Sequence, residues 1–204
     1  AHIKLWWVPF VAILLGLFGL SLRRRRDNMG GLFASWTGIA LALFFISWAA
    51  SQLLFSREVL YAEAEVVAEQ WLSLVKDGED EIAHQAMLHP ASRQAADFSV
   101  DEYYRMDAEA RKAKASVFET APAADIIALG PEADIRLIHN ITQDVDLKYG
   151  KLIMQVYRVT APGKDPVDAQ LTIARTNNEY GVKNWIVANI SAPDPEVARA
   201  LPAN

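Results

Sequence analysis

The stretch LFASWTGIALALFFISWAASQLLFSREVLYAEAEVVAEQWLSLVKD, Leu32 to Asp77, sets the organisation of this chain. Its first half, Leu32 to Phe55, carries no charged side chain and is long enough for a hydrocarbon core, which takes about 20 apolar residues. Its second half, Ser56 to Asp77, sets Val59, Val66, Val67, Trp71, Leu74 and Val75 among Glu58, Glu63, Glu65 and Glu69, an amphipathic pattern with a helical period. No proline interrupts the stretch and Gly38 is its only glycine, so one helix is expected to lead from the bilayer into a globular domain. Unbroken, it would extend about 69 Å at 1.5 Å per residue and hold the domain close to the membrane. Lys76-Asp-Gly78 closes it, with glycine at the usual C-terminal position.

On the N-terminal side, Leu5 to Leu22 is apolar except for Ser21, with Trp6 and Trp7 at one end and Arg23, Arg24, Arg25 and Arg26 at the other. That is the layout of a span anchored at both interfaces. A cleaved signal peptide would need charge ahead of the apolar run and a small-residue site after it; here arginines and a second apolar run follow. The reading is therefore a two-span hairpin. Short arginine-rich loops stay cytoplasmic, so loop 23–31 would place both termini and the domain outside the cytoplasm, in a periplasm or similar space. The same four arginines could hold anionic lipid headgroups, although topology alone explains them equally well. Gly30, Ala34, Gly38 and Ala42 form a small-residue stripe on the second span, and Ala12 and Gly16 a notch on the first, where helix backbones could approach closely. The two spans packing on each other would satisfy this pattern, as would an outside helix. Neither span contains Asp, Glu, Lys, Arg or His, which removes the usual means of moving protons or ions at membrane depth.

The net charge of −5 conceals a division, because 15 basic and 24 acidic side chains lie from Arg57 onward, a net of −9. So acidic a domain repels phosphate backbones and is a poor nucleic-acid binder. The chain has no cysteine, which excludes disulfides, thiolate metal sites and cysteine nucleophiles.

Past Gly78, Glu79 to Leu88 reads as a short helix stopped by His89-Pro90, and Ser99-Val-Asp-Glu102 as a capping box opening a third helix that runs through Tyr103, Tyr104, Ala110 and Ala113 toward Phe118. From Ala124 the period falls to two. Ile126 to Leu129, Ile135 to Ile141, Leu152 to Thr160, Val167 to Arg175 and Trp185 to Ile190 read as strands separated by glycine and proline turns. In the fourth, Val167, Ala169, Leu171 and Ile173 alternate with Asp168, Gln170 and Thr172, giving one buried and one wet face. The fold class expected is a membrane-anchored α+β protein: a transmembrane helical hairpin, then three helices packed on a curved antiparallel sheet of about five strands. A tail with Pro193, Pro195 and Pro202 follows, expected to be loosely held.

The order of helices, the stretch Trp71-Leu-Ser-Leu-Val-Lys-Asp-Gly-Glu-Asp80, and the closing strands Leu152 to Thr160 and Trp185 to Ile190 resemble the NTF2-like (cystatin-like) superfamily. Two short spans split by a basic, glycine-bearing loop are similar to the hairpins preceding such domains in bacterial membrane proteins. The resemblance implies a helix-backed cone, which in that superfamily serves isomerases and dehydratases, small-ligand binders and pure assembly domains. It divides the chain into a hairpin over 1–56 (spans 5–22 and 32–55), an NTF2-like extracytoplasmic domain over 57–191, and a tail over 192–204, seated in a bacterial cytoplasmic (inner) membrane.

Enzymatic members of that superfamily direct carboxylates, histidines or tyrosines into the cone, where apolar surroundings shift pKa values toward acid-base work. The residues here that could do so are His84, His89, Tyr103, Tyr104, His139, Tyr157 and Asp168. His84 sits in a short polar helix and His89 beside a proline, so both are expected at the surface. His139, on a strand with Leu137 and Ile141 on its side, is the best placed to face a core. Tyr104 and Asp168 are the other weak candidates, and no acid partner can be placed beside any of them by spacing. Packing accounts for Tyr103 and Tyr104 without chemistry. Glu132, Asp134, Asp144 and Asp146 match no calcium-loop spacing and read as a solvated acidic edge. Asn140-Ile-Thr142 and Asn189-Ile-Ser191 fit the glycosylation pattern but fall in strands, and read as chance matches. P-loop, dinucleotide, nucleophile-elbow and zinc signatures are missing, so neither a metal nor a cofactor is expected.

The function expected is a non-enzymatic scaffold or accessory subunit of a membrane complex, its partners being other subunits or a second copy, together with membrane lipids and no nucleic acid. The alternative is binding of a small apolar ligand, or isomerase-like activity, in the cone.

Overall fold

A computed structural model describes residues 30–95, 98–146, 150–177 and 183–200. The chain divides into two compact units, one ending at Glu58 and the other starting at Val59. Helix α1 runs without interruption over Gly30–Lys76. It is followed by α2 (Asp80–Met87), a single 3-10 turn (Pro90–Ser92), α3 (Val100–Met106), α4 (Ala108–Phe118) and α5 (Ala123–Leu129). Then come β1 (Asp134–Asp146), β2 (Gly150–Thr160), β3 (Val167–Asn177), β4 (Lys183–Ser191) and the short helix α6 (Pro195–Ala200).

In the first unit the described helix is apolar and uncovered. Trp36, Leu41, Leu43, Phe44, Phe45, Trp48, Leu54 and Phe55 are exposed. Among the described residues one helix is long and apolar enough to cross a membrane, and it lies in α1. The two-span hairpin is corrected accordingly to one candidate span. The bacterial inner-membrane topology, with both termini and the domain outside the cytoplasm, was derived from two crossings and falls with the hairpin. The stretch 5–22, with Ala12 and Gly16, and the loop bearing Arg23, Arg24, Arg25 and Arg26 lie outside the described residues.

In the second unit α1 supplies the central helix of the core. Leu60, Ala64, Ala68, Trp71, Leu72 and Val75 recur at helical spacing and are buried against one face of the sheet. The helix ends in a Schellman turn: Glu79 N–H donates to Leu74 C=O (2.9 Å), Gly78 N–H to Val75 C=O (3.1 Å), and Gly78 takes the positive φ of 77° that favours glycine. Trp71 then pins α2 to α1, its indole N–H donating to the Ala83 carbonyl at 2.9 Å.

The sheet is a four-stranded antiparallel meander in the order β1-β2-β3-β4. Its inner face carries Ile153, Tyr157 and Val159 of β2, Ala169, Leu171 and Ile173 of β3, and Val187 of β4. This is the face with the alternating pattern of β3. The five-strand expectation is corrected, because Ile126 to Leu129 is helical. In α5, Ala123, Ile126 and Leu129 are buried at steps of three, and Gly130 ends the helix with φ 85°. A four-residue apolar run carries no periodicity that separates strand from helix. The third helix is corrected as well, for it breaks in two at Asp107. That residue ends α3 and caps α4, its carboxylate accepting from the N–H groups of Glu109 (2.9 Å) and Ala110 (3.0 Å). Ser99 caps α3 by accepting from Glu102 N–H.

The sheet is open and does not curve into a cone. Large side chains fill the space above its inner face; Trp71, Leu72, Ile153, Tyr157 and Leu171 are all at most 2% exposed. An NTF2-like assignment is not supported by this architecture. In the tail, Asp194 caps α6 through Glu196 N–H (2.9 Å), which gives 195–200 helical order where a loose segment was expected.

Candidate functional site

A cluster of polar side chains in the domain joins α2, α3 and α4. His84 and Gln85 leave α2 beside the buried Ala83 and meet Tyr104, the one buried side chain of α3. The Tyr104 hydroxyl lies 2.5 Å from His84 Nδ1 and accepts from Gln85 Nε2 at 3.1 Å. The Gln85 amide oxygen in turn accepts from Gln94 N–H at 2.9 Å. Lys114 of α4 places its ammonium 5.4 Å from the Tyr104 ring centroid and pairs with Asp80 (2.9 Å) and Glu81 (3.2 Å) at the start of α2. Phe118 and Tyr103 pack edgewise on the His84 and Tyr104 rings, respectively.

The electrostatics of this cluster favour uncharged groups. Burial pushes the His84 imidazole below its usual value, and the Lys114 charge adds to this while Asp80 partly opposes it. Burial raises the Tyr104 phenol to about 12; the Gln85 hydrogen bond opposes the rise, and Tyr103, Glu81 and Asp80 add to it. Burial pulls the Lys114 ammonium down, but its hydrogen bonds to Asp80 and Glu81 outweigh this and leave it raised. At neutral pH a neutral phenol therefore shares a hydrogen bond with the Nδ1 of a neutral imidazole. A general base needs a pKa tuned toward the working pH, and a nucleophilic tyrosine needs a depressed one. Here the histidine has become a weaker base and the tyrosine a weaker acid. The arrangement fastens three helices together.

The other candidates are dispersed. His139 is exposed, contrary to expectation, because β1 has an extra residue at Ile138: Leu137 lies opposite Tyr157, but His139 lies opposite Val156 instead of Gln155. A bulge of one residue reverses the face of the side chains that follow it, here until a second shift between Asn140 and Thr142. Asn140 thereby turns inward, and its side-chain oxygen accepts from Gln155 Nε2 at 2.7 Å. Asp168 lies on the outer face, locked to Arg158 across the β2–β3 pair by two contacts of 2.7 and 2.9 Å. Tyr157 is fully buried, its phenol held well above the usual range by burial, and donates to Gln155 Oε1 at 3.0 Å. His89 accepts from Ala91 N–H in an exposed turn. Among the described residues no three His, Asp or Glu side chains come together in a metal-binding group.

Of the small-residue stripe, Ala42 is buried, and a Cβ added at Gly38 would meet no atom within 4 Å. Sequence reasoning missed His84, placing it at the surface. Its only signal was position: it adjoins Ala83 and lies three residues before Met87, at the border of the buried stripe of α2.

No family model, curated protein or solved structure matches this chain. The resemblance to the NTF2-like superfamily thus has neither a matching relative nor the expected sheet geometry behind it.

Proposed function

We infer that this chain is a non-enzymatic assembly subunit, attached to a membrane by the apolar half of α1 and presenting its α+β domain to other subunits. The observation that carries the reading is the state of α1. Its apolar window is only 6% buried, so about 18 residues of hydrocarbon surface lie against no protein among the described residues. A lipid environment stabilises such a surface and water does not. The same helix, without interruption, provides the central buried stripe of the domain. Further support comes from the polar groups of the domain. His84, Tyr104, Gln155 and Asp168 are each committed to hydrogen bonds or ion pairs within the fold.

The test is extraction. Membranes from cells expressing the full chain should retain it through high-salt and alkaline carbonate washes. After mild detergent it should migrate on a blue-native gel as part of an assembly well above 22.6 kDa. Release by salt alone, or migration only as a free monomer, would overturn the reading.

A further inference from the structure

We propose that α3 is an acid-released latch: Tyr104, its one buried side chain, fastens the helix to His84 of α2, and protonation of His84 frees it while the sheet stays folded. The proposal goes beyond the assembly-subunit reading and does not depend on it. α3 has seven residues, and every side chain in it except Tyr104 is exposed or half-buried. At its C-terminal end the extended backbone of Asp107, with φ −99° and ψ 105°, separates it from α4. An element with so little buried surface opens at a lower cost than the sheet, where Gln155, Tyr157 and Leu171 are fully buried.

The latch rests on one oxygen. The Tyr104 hydroxyl meets His84 Nδ1 and accepts from Gln85 Nε2, and it makes no other hydrogen bond among the described residues. His84 is 7% exposed, with the Tyr104 and Phe118 rings edge-on to it at centroid distances of 5.6 and 6.4 Å. A second proton on the imidazole places a charge in that buried aromatic site. It also leaves Nδ1 and Gln85 Nε2 both donating to the phenol oxygen, whose own O–H then lacks an acceptor. The charged neighbours do not offset this. Lys114 of α4, 5.4 Å from the Tyr104 ring centroid, opposes a second cation; Asp80 of α2 favours one, but it is paired with Lys114, as is Glu81. On α3, Tyr104 is neutral, Tyr103 packs on its ring, and Asp101 and Glu102 are exposed to solvent. β4, which also packs on α2, has Lys183 as its only charged residue, and α1 meets α2 through the uncharged Trp71. The imidazole therefore holds a second proton less readily with α3 closed than with α3 released, so acid favours release.

The experiment is hydrogen–deuterium exchange of the full chain in detergent micelles, read by mass spectrometry about one pH unit above and one below the ordinary imidazole value of 6.5, with rates corrected for the intrinsic effect of pH. The α3 amides, among them Tyr103 N–H bonded to Ser99 C=O and Asp107 N–H bonded to Tyr103 C=O, should exchange several-fold faster at the lower pH. The limit is about ten-fold, which one proton can supply over that interval. The amides of β2 and β3 should not change by the same factor. In His84→Asn and His84→Gln, whose amide oxygens can accept from Tyr104 without titrating, α3 should exchange equally at both pH values. Three results would overturn the proposal: α3 exchange independent of pH in the native chain, the same acceleration in both variants, or acceleration of α3 together with β2 and β3, which is global unfolding.

Discussion

The Tyr104 hydroxyl bridges two residues of α2, 2.5 Å from His84 Nδ1 and 3.1 Å from Gln85 Nε2, and through them holds α3 against the rest of the domain. Removing that oxygen strands a ring nitrogen and an amide donor in a buried site. Tyr104→Phe should lower unfolding stability by about 1–3 kcal/mol, the cost of leaving buried polar groups unpaired. Urea unfolding of the detergent-solubilised chain, followed by tryptophan fluorescence, measures it. A change under a few tenths of a kcal/mol would show that the hydroxyl carries no net stabilisation.

The same pair should make stability depend on acid. His84 titrates below its ordinary value of 6.5 in the folded chain, so between that value and the folded one the unfolded chain binds more protons. The stabilisation is fully present above pH 6.5 and is lost as the pH falls through the folded value. Unfolding midpoints measured at several pH values below neutrality should therefore fall with pH in the native chain, more steeply than in His84→Asn, whose amide oxygen can accept from Tyr104 without titrating. Equal slopes would remove His84 as the cause.

Gln155 is fully buried and links three elements. Its amide nitrogen donates to the Tyr61 carbonyl (3.2 Å) and to Asn140 (2.7 Å), and its oxygen accepts from Tyr157. Gln155→Leu keeps the volume but leaves the Tyr157 hydroxyl and the Asn140 oxygen without this partner. A loss of about 2–4 kcal/mol is expected, greater than for Gln155→Leu combined with Tyr157→Phe. A double-mutant cycle with no coupling would contradict the network.

Gly150 opens β2 with φ 84°, and a Cβ there would sit 2.8 Å from the Arg175 carbonyl oxygen. Gly163 has a similar φ of 74° with open space around it. Gly150→Ala should therefore cost more than Gly163→Ala, the second losing about 1 kcal/mol from backbone strain alone and the first more from the clash. Comparing the two unfolding midpoints settles the order.

Much of the domain was legible before any coordinates. The amphipathic half of α1, its glycine stop, the Ser99 cap and the strands from Ile135 onward all rest on local pattern, and local pattern is what fixes hydrogen-bonded elements. In two short segments the local signals tie. Ile126 to Leu129 has strand composition, but its burial follows steps of three. Asp107 lies within the span expected to be one helix from Ser99 toward Phe118, yet its short carboxylate caps the next helix. The candidate site was barely legible. His84 gains its environment from Tyr104, twenty residues on, and from Lys114 and Phe118 beyond that.

By itself the sequence determined that an uncharged run of membrane length continues into an amphipathic helix, and that the following domain is acidic, free of cysteine and divided into helices and then strands. Only the tertiary structure decided that the sheet stays open with four strands and that His139 faces out. It also decided that the polar groups of α2 and α3 satisfy one another. The reason is one of range: helix period and charge are properties of neighbours along the chain, whereas a one-residue bulge at Ile138 or the burial of an imidazole depends on which distant strand or helix comes to lie opposite.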